Sequence, residues 1–252
     1  MTENSKLSYI DNGKGTKTLL FIHGFCGSHE YWSDIIAKVK DEYRVVAVDL
    51  RGHGASEAIG ASFSIEDMAA DIASFLEDRE IDQVYMFGHS LGGYITLAFA
   101  ERFPGKLSGF SLVHSTALPD DEAGKEGRLK SVEKIKNDGI PAFIDGLVPK
   151  LFANSDDPHI EHTKEIGYKT SESGAIGSLN AMRNRTDRNH VLRDTKLPVL
   201  LVAGEQDKVI PAEKTFSVKG SHIKEVILEG SGHMGMLEAP SRLAEEIIRF
   251  VK

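Results

Sequence analysis

The stretch Val84-Tyr85-Met86-Phe87-Gly88-His89-Ser90-Leu91-Gly92-Gly93 decides how this chain is organised. A run of strand length ends on Gly-x-Ser-x-Gly, after which Leu91, Ile95, Ala98 and Phe99 recur at helical spacing. A strand that turns so sharply into a helix brings the backbone on either side of Ser90 into near contact. Gly88 and Gly92 leave room for that approach. The serine is expected in a strained conformation, with its hydroxyl at the edge of a sheet. The first N–H groups of the following helix point at the same spot, which favours developing negative charge there.

Outward from this turn, apolar runs of strand length alternate with helical patterns. The expected strands are Leu7–Ile10, Thr18–Ile22, Arg44–Val48, Gln83–Phe87, Gly109–Val113, Val199–Ala203 and Lys224–Leu228. From the second onward they are mostly continuous, as in strands covered by helices on both faces. Helices are expected at about 30–40, 65–79, 91–103 and 240–251. The alternation predicts an α/β fold with a doubly wound, mostly parallel sheet, whose functional groups sit at the carboxyl ends of strands. Between about Ala117 and Asn189 the alternation stops. Helical patches carry Leu129, Val132 and Ile135, then Phe143, Ile144, Leu147 and Val148, then Ile176, Leu179 and Met182, separated by breakers such as Gly139–Pro141. So long a helical stretch is too much for an ordinary crossover, so a helical cap over the sheet is expected at 117–190. The core is then 1–116 and 191–252, with core and cap forming one domain.

Composition narrows the class. The 252 residues hold one Cys, Cys26, so neither an internal disulfide nor a Cys-rich zinc module is possible. A net charge of −8 argues against a general binder of phosphate backbones. The polar start and the shortness of the apolar runs argue against a signal peptide or a bilayer span, so a cytoplasmic protein without nucleic-acid or membrane partners is expected.

A serine hydroxyl is a poor nucleophile and needs a base, which in turn needs an orienting carboxylate. After Val199–Ala203 comes Gly204-Glu205-Gln206-Asp207, and after Lys224–Leu228 comes Gly230-Ser231-Gly232-His233. Asp207 and His233 thus fall in loops at the carboxyl ends of consecutive strands, in the order Ser, Asp, His that follows such a serine turn. Asp120 and Asp121, behind Gly109–Val113, are the alternative acids. A tetrahedral intermediate also needs N–H donors. Leu91 supplies one, and Phe25, in the loop His23-Gly24-Phe25-Cys26 after Thr18–Ile22, supplies the other.

Together, His23-Gly24-Phe25 with Trp32 downstream, Asp49-Leu50-Arg51-Gly52-His53-Gly54-x-Ser56, Gly88-His89-Ser90-Leu91-Gly92-Gly93, Gly204-x-x-Asp207 and Gly232-His233 resemble the α/β-hydrolase fold superfamily across essentially the whole chain. The resemblance implies that the insertion is the family's helical cap and that the chain is similar to the small, cofactor-free carboxylesterase members. Haloalkane dehalogenases and epoxide hydrolases of this fold carry an Asp where Ser90 stands, so both are disfavoured.

The expected reaction is hydrolysis of small-molecule carboxylic esters by Ser90, His233 and Asp207, without metal or organic cofactor. Activity should fall with pH as the base becomes protonated. Thioester cleavage, carbon–carbon bond hydrolysis, lyase chemistry and a ligand-binding signalling role stay open, since fold does not choose among them. The chain is expected as a monomer or homodimer. Trp32, Phe143, Leu147, Phe152, Met182 and Met234 are candidate pocket residues. His23, His53, Asp49 and Arg51 are read as structural, His89 as directed into the sheet, and Cys26 as a packed side chain. His159 and His162 are read as solvent-exposed rather than as metal ligands. Arg183 and Asp187, four apart, form a candidate pair bracing the cap.

Overall fold

The computed structural model describes residues 6–58 and 62–252. Its seven strands are β1 (Tyr9–Asp11), β2 (Thr18–Ile22), β3 (Arg44–Val48), β4 (Val84–His89), β5 (Leu107–Val113), β6 (Val199–Gly204) and β7 (Ile223–Leu228). They form one sheet in the order β1-β3-β2-β4-β5-β6-β7. β1 runs antiparallel to β3, and every other pairing is parallel. The carboxyl ends of β2 through β7 therefore share one edge.

Continuous apolar strands lie where expected. Leu19 to Ile22, Val45 to Val48 and Val199 to Ala203 are all fully buried, because helices cover both faces. β7 is different. At the sheet's edge it leaves Lys224, Glu225 and Ile227 exposed, so its pattern alternates. β1 begins two residues later than Leu7, since the Ser8 N–H goes to the Ser56 hydroxyl at 2.8 Å instead of to a strand. β4 continues to His89 because His89 stays in register with Val113.

On the faces lie α1 (Ser33–Val39), α2 (Ile65–Asp78) and α3 (Leu91–Arg102), and α10 (Pro240–Val251) closes the chain. α2 starts on a reciprocal cap, with the Ser64 hydroxyl accepting from the Asp67 N–H and the Asp67 carboxylate accepting from the Ser64 N–H. Before it, the loop after β3 is fixed by buried polar groups. Arg51 makes two 2.6 Å bonds to Asp71, and Asp49 accepts from the His29 and Ala55 N–H groups.

Among the described residues, no strand lies between β5 and β6. This segment holds α4 (Glu122–Leu147), α5 (Ile160–Tyr168), α6 (Glu172–Asn184) and α7 (Asn189–Asp194). α4 kinks at Gly139, whose φ of 79° is left-handed, just before Pro141. Val132 and Ile135 are buried but Leu129 is exposed. Steps of three residues drift around a helix by about 60° each, which carries Leu129 off the inward face.

The pair Arg183–Asp187 is not formed, because α6 ends at Asn184 and Asp187 instead accepts from the Asn189 N–H and side-chain amide. Its neighbours do the bracing. Arg185 bonds Asp120 at 2.8 Å and lies over the Tyr94 ring, and Arg188 pairs with Glu66 and Glu101 on α2 and α3. Two short helices, α8 (Ala212–Thr215) and α9 (Gly235–Glu238), follow β6 and β7. Among the described residues, no helix is long and apolar enough to cross a membrane.

Candidate active site

Four of these strands deliver polar side chains to the shared edge. Ser90 follows β4 with φ 50° and ψ −113°, a conformation that strains any residue with a Cβ. The surroundings hold it there. The Ser90 N–H donates to the Val113 carbonyl at 3.0 Å, and the Ser90 carbonyl accepts from the Ser115 hydroxyl at 2.7 Å. A Cβ on Gly88 would collide with the Gly92 carbonyl, and one on Gly92 with the Ile22 and His23 carbonyls, so both glycines are required by contact.

Asp207 follows β6 and His233 follows β7. The Asp207 Oδ1 accepts from the backbone N–H groups of Val209 (2.8 Å) and Ile210 (2.9 Å), and its Oδ2 accepts from His233 Nδ1 at 2.8 Å. Burial would push this carboxyl up. Hydrogen bonds from His114 and His233 outweigh it and hold Asp207 far below the usual carboxylate range. The His233 loop is pinned from three sides. Its N–H donates to the Leu151 carbonyl at 2.7 Å, its carbonyl accepts from His89 Nε2 at 2.9 Å, and Glu238 Oε2 accepts from the Gly232 and Met234 N–H groups.

Neither alternative acid reaches His233. Asp120 is held by Arg128 and Arg185, and Asp121 caps α4 through the Gly124 N–H. Leu91 opens α3 and Phe25 lies in the loop after β2; among the described residues neither N–H donates to a turn or cap acceptor.

Ser90 and His233 line a cavity of about 780 Å³ together with Phe25, Leu147, Met182 and Met234. Trp32, Phe143 and Phe152 are not part of its wall. Trp32 is wholly buried against Phe21, Phe143 packs its ring edge-on to Phe25 from behind, and Phe152 is buried beside the His233 loop. Tyr31, Tyr94 and Leu151 stand in the wall instead.

His89 is not simply directed into the sheet, since its ring meets those of His114 and His233 and its Nε2 braces the His233 backbone. His23 and His53 are structural. His23 Nε2 accepts from the Leu50 N–H, and His53 Nδ1 donates to the Arg51 carbonyl. Cys26 is buried, and burial pushes its thiol well above the ordinary range. His159 bonds the side chain of Asp157, and His162 is exposed beside Glu165.

Two residues escaped the sequence reading, His114 at the end of β5 and Glu238 on α9. His114 Nδ1 lies 3.3 Å from Asp207 Oδ2. The rule that functional groups gather at strand carboxyl ends, applied to β5 as well, singles His114 out. His114, Asp207 and His233 are also close enough to share a metal ion. However, His114 Nε2 accepts from the Gly235 N–H, so its Nδ1 carries a proton and offers no lone pair.

These buried imidazoles have a measurable consequence. Burial lowers His23 to about 3 and His53 to about 4, and lowers His89 and His114 as well. Unfolded, each takes up a proton near the ordinary value of about 6.5. Their contribution to stability is therefore complete above that value and drains as pH falls below it, by up to about 1.4 kcal/mol per pH unit for each of His23 and His53. His29, raised by its bond to Asp49, acts in the opposite sense but is one against four. The melting temperature should drop clearly between pH 7 and pH 5; an unchanged or higher value would contradict neutral buried rings.

A serine on a strained strand-to-helix turn, lining one cavity with a carboxylate-paired histidine at the same edge of a mostly parallel sheet, defines the class of protein. The chain belongs to the α/β-hydrolase fold family, whose sequence model matches residues 17–240. It is similar to a thermophilic esterase from Thermogutta terrifontis, with a TM-score of 0.92 and 26% identity over 98% of this chain and 93% of that one. It is 26% identical over 259 residues to the 2-(acetamidomethylene)succinate hydrolase of Mesorhizobium japonicum, covering 97% of this chain and 91% of that protein. It is 30% identical over 241 residues to the dihydrolipoyllysine-residue acetyltransferase component of the acetoin cleaving system of Cupriavidus necator, covering 92% of this chain. The chain spans 63% of that relative's length, and 65% of its Pseudomonas putida counterpart.

Proposed function

We propose that this enzyme hydrolyses carboxylic esters of small molecules through an acyl-enzyme on Ser90. The observation that carries the reading is the 2.8 Å bond from His233 Nδ1 to Asp207 Oδ2, beside the cavity that Ser90 lines. With its proton on Nδ1, His233 has a free Nε2 lone pair for the serine hydroxyl. The Ser90 Oγ attacks the ester carbonyl while His233 Nε2 takes its proton. Asp207 stabilises the imidazolium, and the N–H groups of Phe25 and Leu91 hold the oxyanion. The alcohol departs with the Nε2 proton, and water then attacks the acyl-enzyme by the same route. No step calls for a metal or an organic cofactor. Residues 117–190 act as the cap that shapes the pocket, and its apolar wall of Phe25, Leu147, Met182 and Met234 suits a short apolar acyl or alcohol group.

A second reading, acyl transfer involving thiols, is favoured by the similarity to the acetyltransferase component. It shares the acyl-enzyme and differs only in what donates or removes the acyl group. A chain-length series of chromogenic esters and matched thioesters, run against Ser90→Ala, separates the two. Multiple turnovers on short acyl esters, lost in the variant, are expected. A marked preference for thioesters would favour the second reading. A single slow turnover with a large gain in thermal stability on ligand binding would point to a signalling protein and sink both.

A further inference from the structure

We infer that His114 is a positioning residue for Asp207, a second imidazole donor that holds the carboxylate turned toward His233. The inference rests on the reading of Asp207 as the acid that serves His233. His114 sits at the end of β5 with a wholly buried side chain and a left-handed φ of 49°. Its own N–H is tied to the Val202 carbonyl at 2.8 Å, so the ring is carried by the sheet rather than by a free loop.

The proton on this ring has one possible place. His114 Nε2 accepts the Gly235 N–H at 3.2 Å, which leaves the hydrogen on Nδ1, 3.3 Å from Asp207 Oδ2. Position 235 must be glycine for this, because a Cβ there would strike His114 Nε2. Each Asp207 oxygen then accepts two bonds: Val209 and Ile210 N–H on Oδ1, and His233 and His114 on Oδ2. Without His114, the oxygen that faces the base would be held only by the base itself. That partner changes charge during every turnover.

His114 is also unsuited to act as a rival base. Its Nε2 lone pair is spent on Gly235, and burial keeps its ring below the ordinary histidine range. The titratable groups around it are Asp207, His233, His89 and, at longer range, Glu238. Its task is therefore geometric and electrostatic support of Asp207, with no proton moved.

Three measurements test this. In the wild-type protein, imidazole nitrogen NMR should find His114 as the neutral Nδ1–H tautomer; an Nε2–H tautomer would overturn the inference without any mutant. His114→Leu removes the donor and should lower kcat by roughly 10- to 100-fold while KM stays within about threefold. His114→Asn places an N–H near the same point and tolerates the left-handed backbone, so its kcat should stay within about fivefold of wild type. Wild-type kcat in the leucine variant, or equal losses in both variants, would mean that the ring only fills space. Should the leucine variant fail to fold, the asparagine variant and the tautomer decide. An Asp207→Asn variant with full activity would instead sink the reading of Asp207 itself. Loss in Asp207→Asn beside a normal His114→Leu would sink only the role of His114.

Discussion

Ser90→Ala should lower kcat/KM on ester substrates by about 10⁴- to 10⁶-fold, leaving only what binding and oxyanion stabilisation supply. The fold should survive, because the turn is held through the Ser90 backbone. Its N–H bonds the Val113 carbonyl, and its carbonyl accepts from Ser115. Loss of activity at an unchanged melting temperature would assign the loss to chemistry. Ser90→Gly makes a sharper control. It also removes the nucleophile, but it relieves a backbone at φ 50° and ψ −113° that only glycine adopts cheaply. The glycine variant should be equally inactive yet more stable, by about 1 kcal/mol or a few degrees in melting temperature. An active Ser90→Ala enzyme would end the proposed mechanism.

Asp207→Asn should cost about 10³- to 10⁴-fold in kcat, and the hydrogen bonds explain why so small a change is so severe. The Asp207 Oδ1 accepts two backbone N–H groups, from Val209 and Ile210. The asparagine oxygen will keep those, which turns its NH₂ toward the two imidazoles. His233 then meets a donor where it had an acceptor, so its proton must shift to Nε2, the atom that has to accept from Ser90. The variant enzyme would hold its base in the wrong tautomer with the scaffold intact. KM should change little. Activity within tenfold of wild type would show that another acid serves His233; Asp120, already engaged by Arg128 and Arg185, would be the first to examine.

Most of the sheet was legible because its strands are buried on both faces and so read as unbroken apolar runs. β2 and β3 lie where those runs place them, residue for residue. The candidate triad was legible for a topological reason: parallel strands put Ser90, Asp207 and His233 on one edge whatever lies between. The pocket was not. Which residues face the cavity depends on how the kinked α4 and α6 pack over the rest of the fold, and nothing local encodes that. Trp32 looked like a pocket aromatic but packs on Phe21, whereas Leu151 and Tyr94, which no motif marks, line the wall. The ion pairs here fall on Arg185 and Arg188 rather than on Arg183 and Asp187, because α6 ends at Asn184 and helical spacing does not extend to Asp187. His114 was invisible for another reason. Its importance lies in two partners, Asp207 and Gly235, more than 90 residues away in the chain.

Glu238 closes a different circuit. One of its carboxylate oxygens accepts from the Gly232 and Met234 N–H groups flanking the base, and the other accepts from the Ala153 N–H in the segment beyond α4. The Leu151 carbonyl, two residues before Ala153, accepts from the N–H of His233 itself, and the Leu151 side chain lines the cavity. The cavity wall at Leu151 and the mounting of the base therefore share one stretch of backbone, so a change at 151–153 that shifts this backbone would move the base together with the wall. Adaptation to new substrates is freer on the wall formed by α4 and α6, where Leu147 and Met182 can change size without touching the catalytic loops' hydrogen bonds.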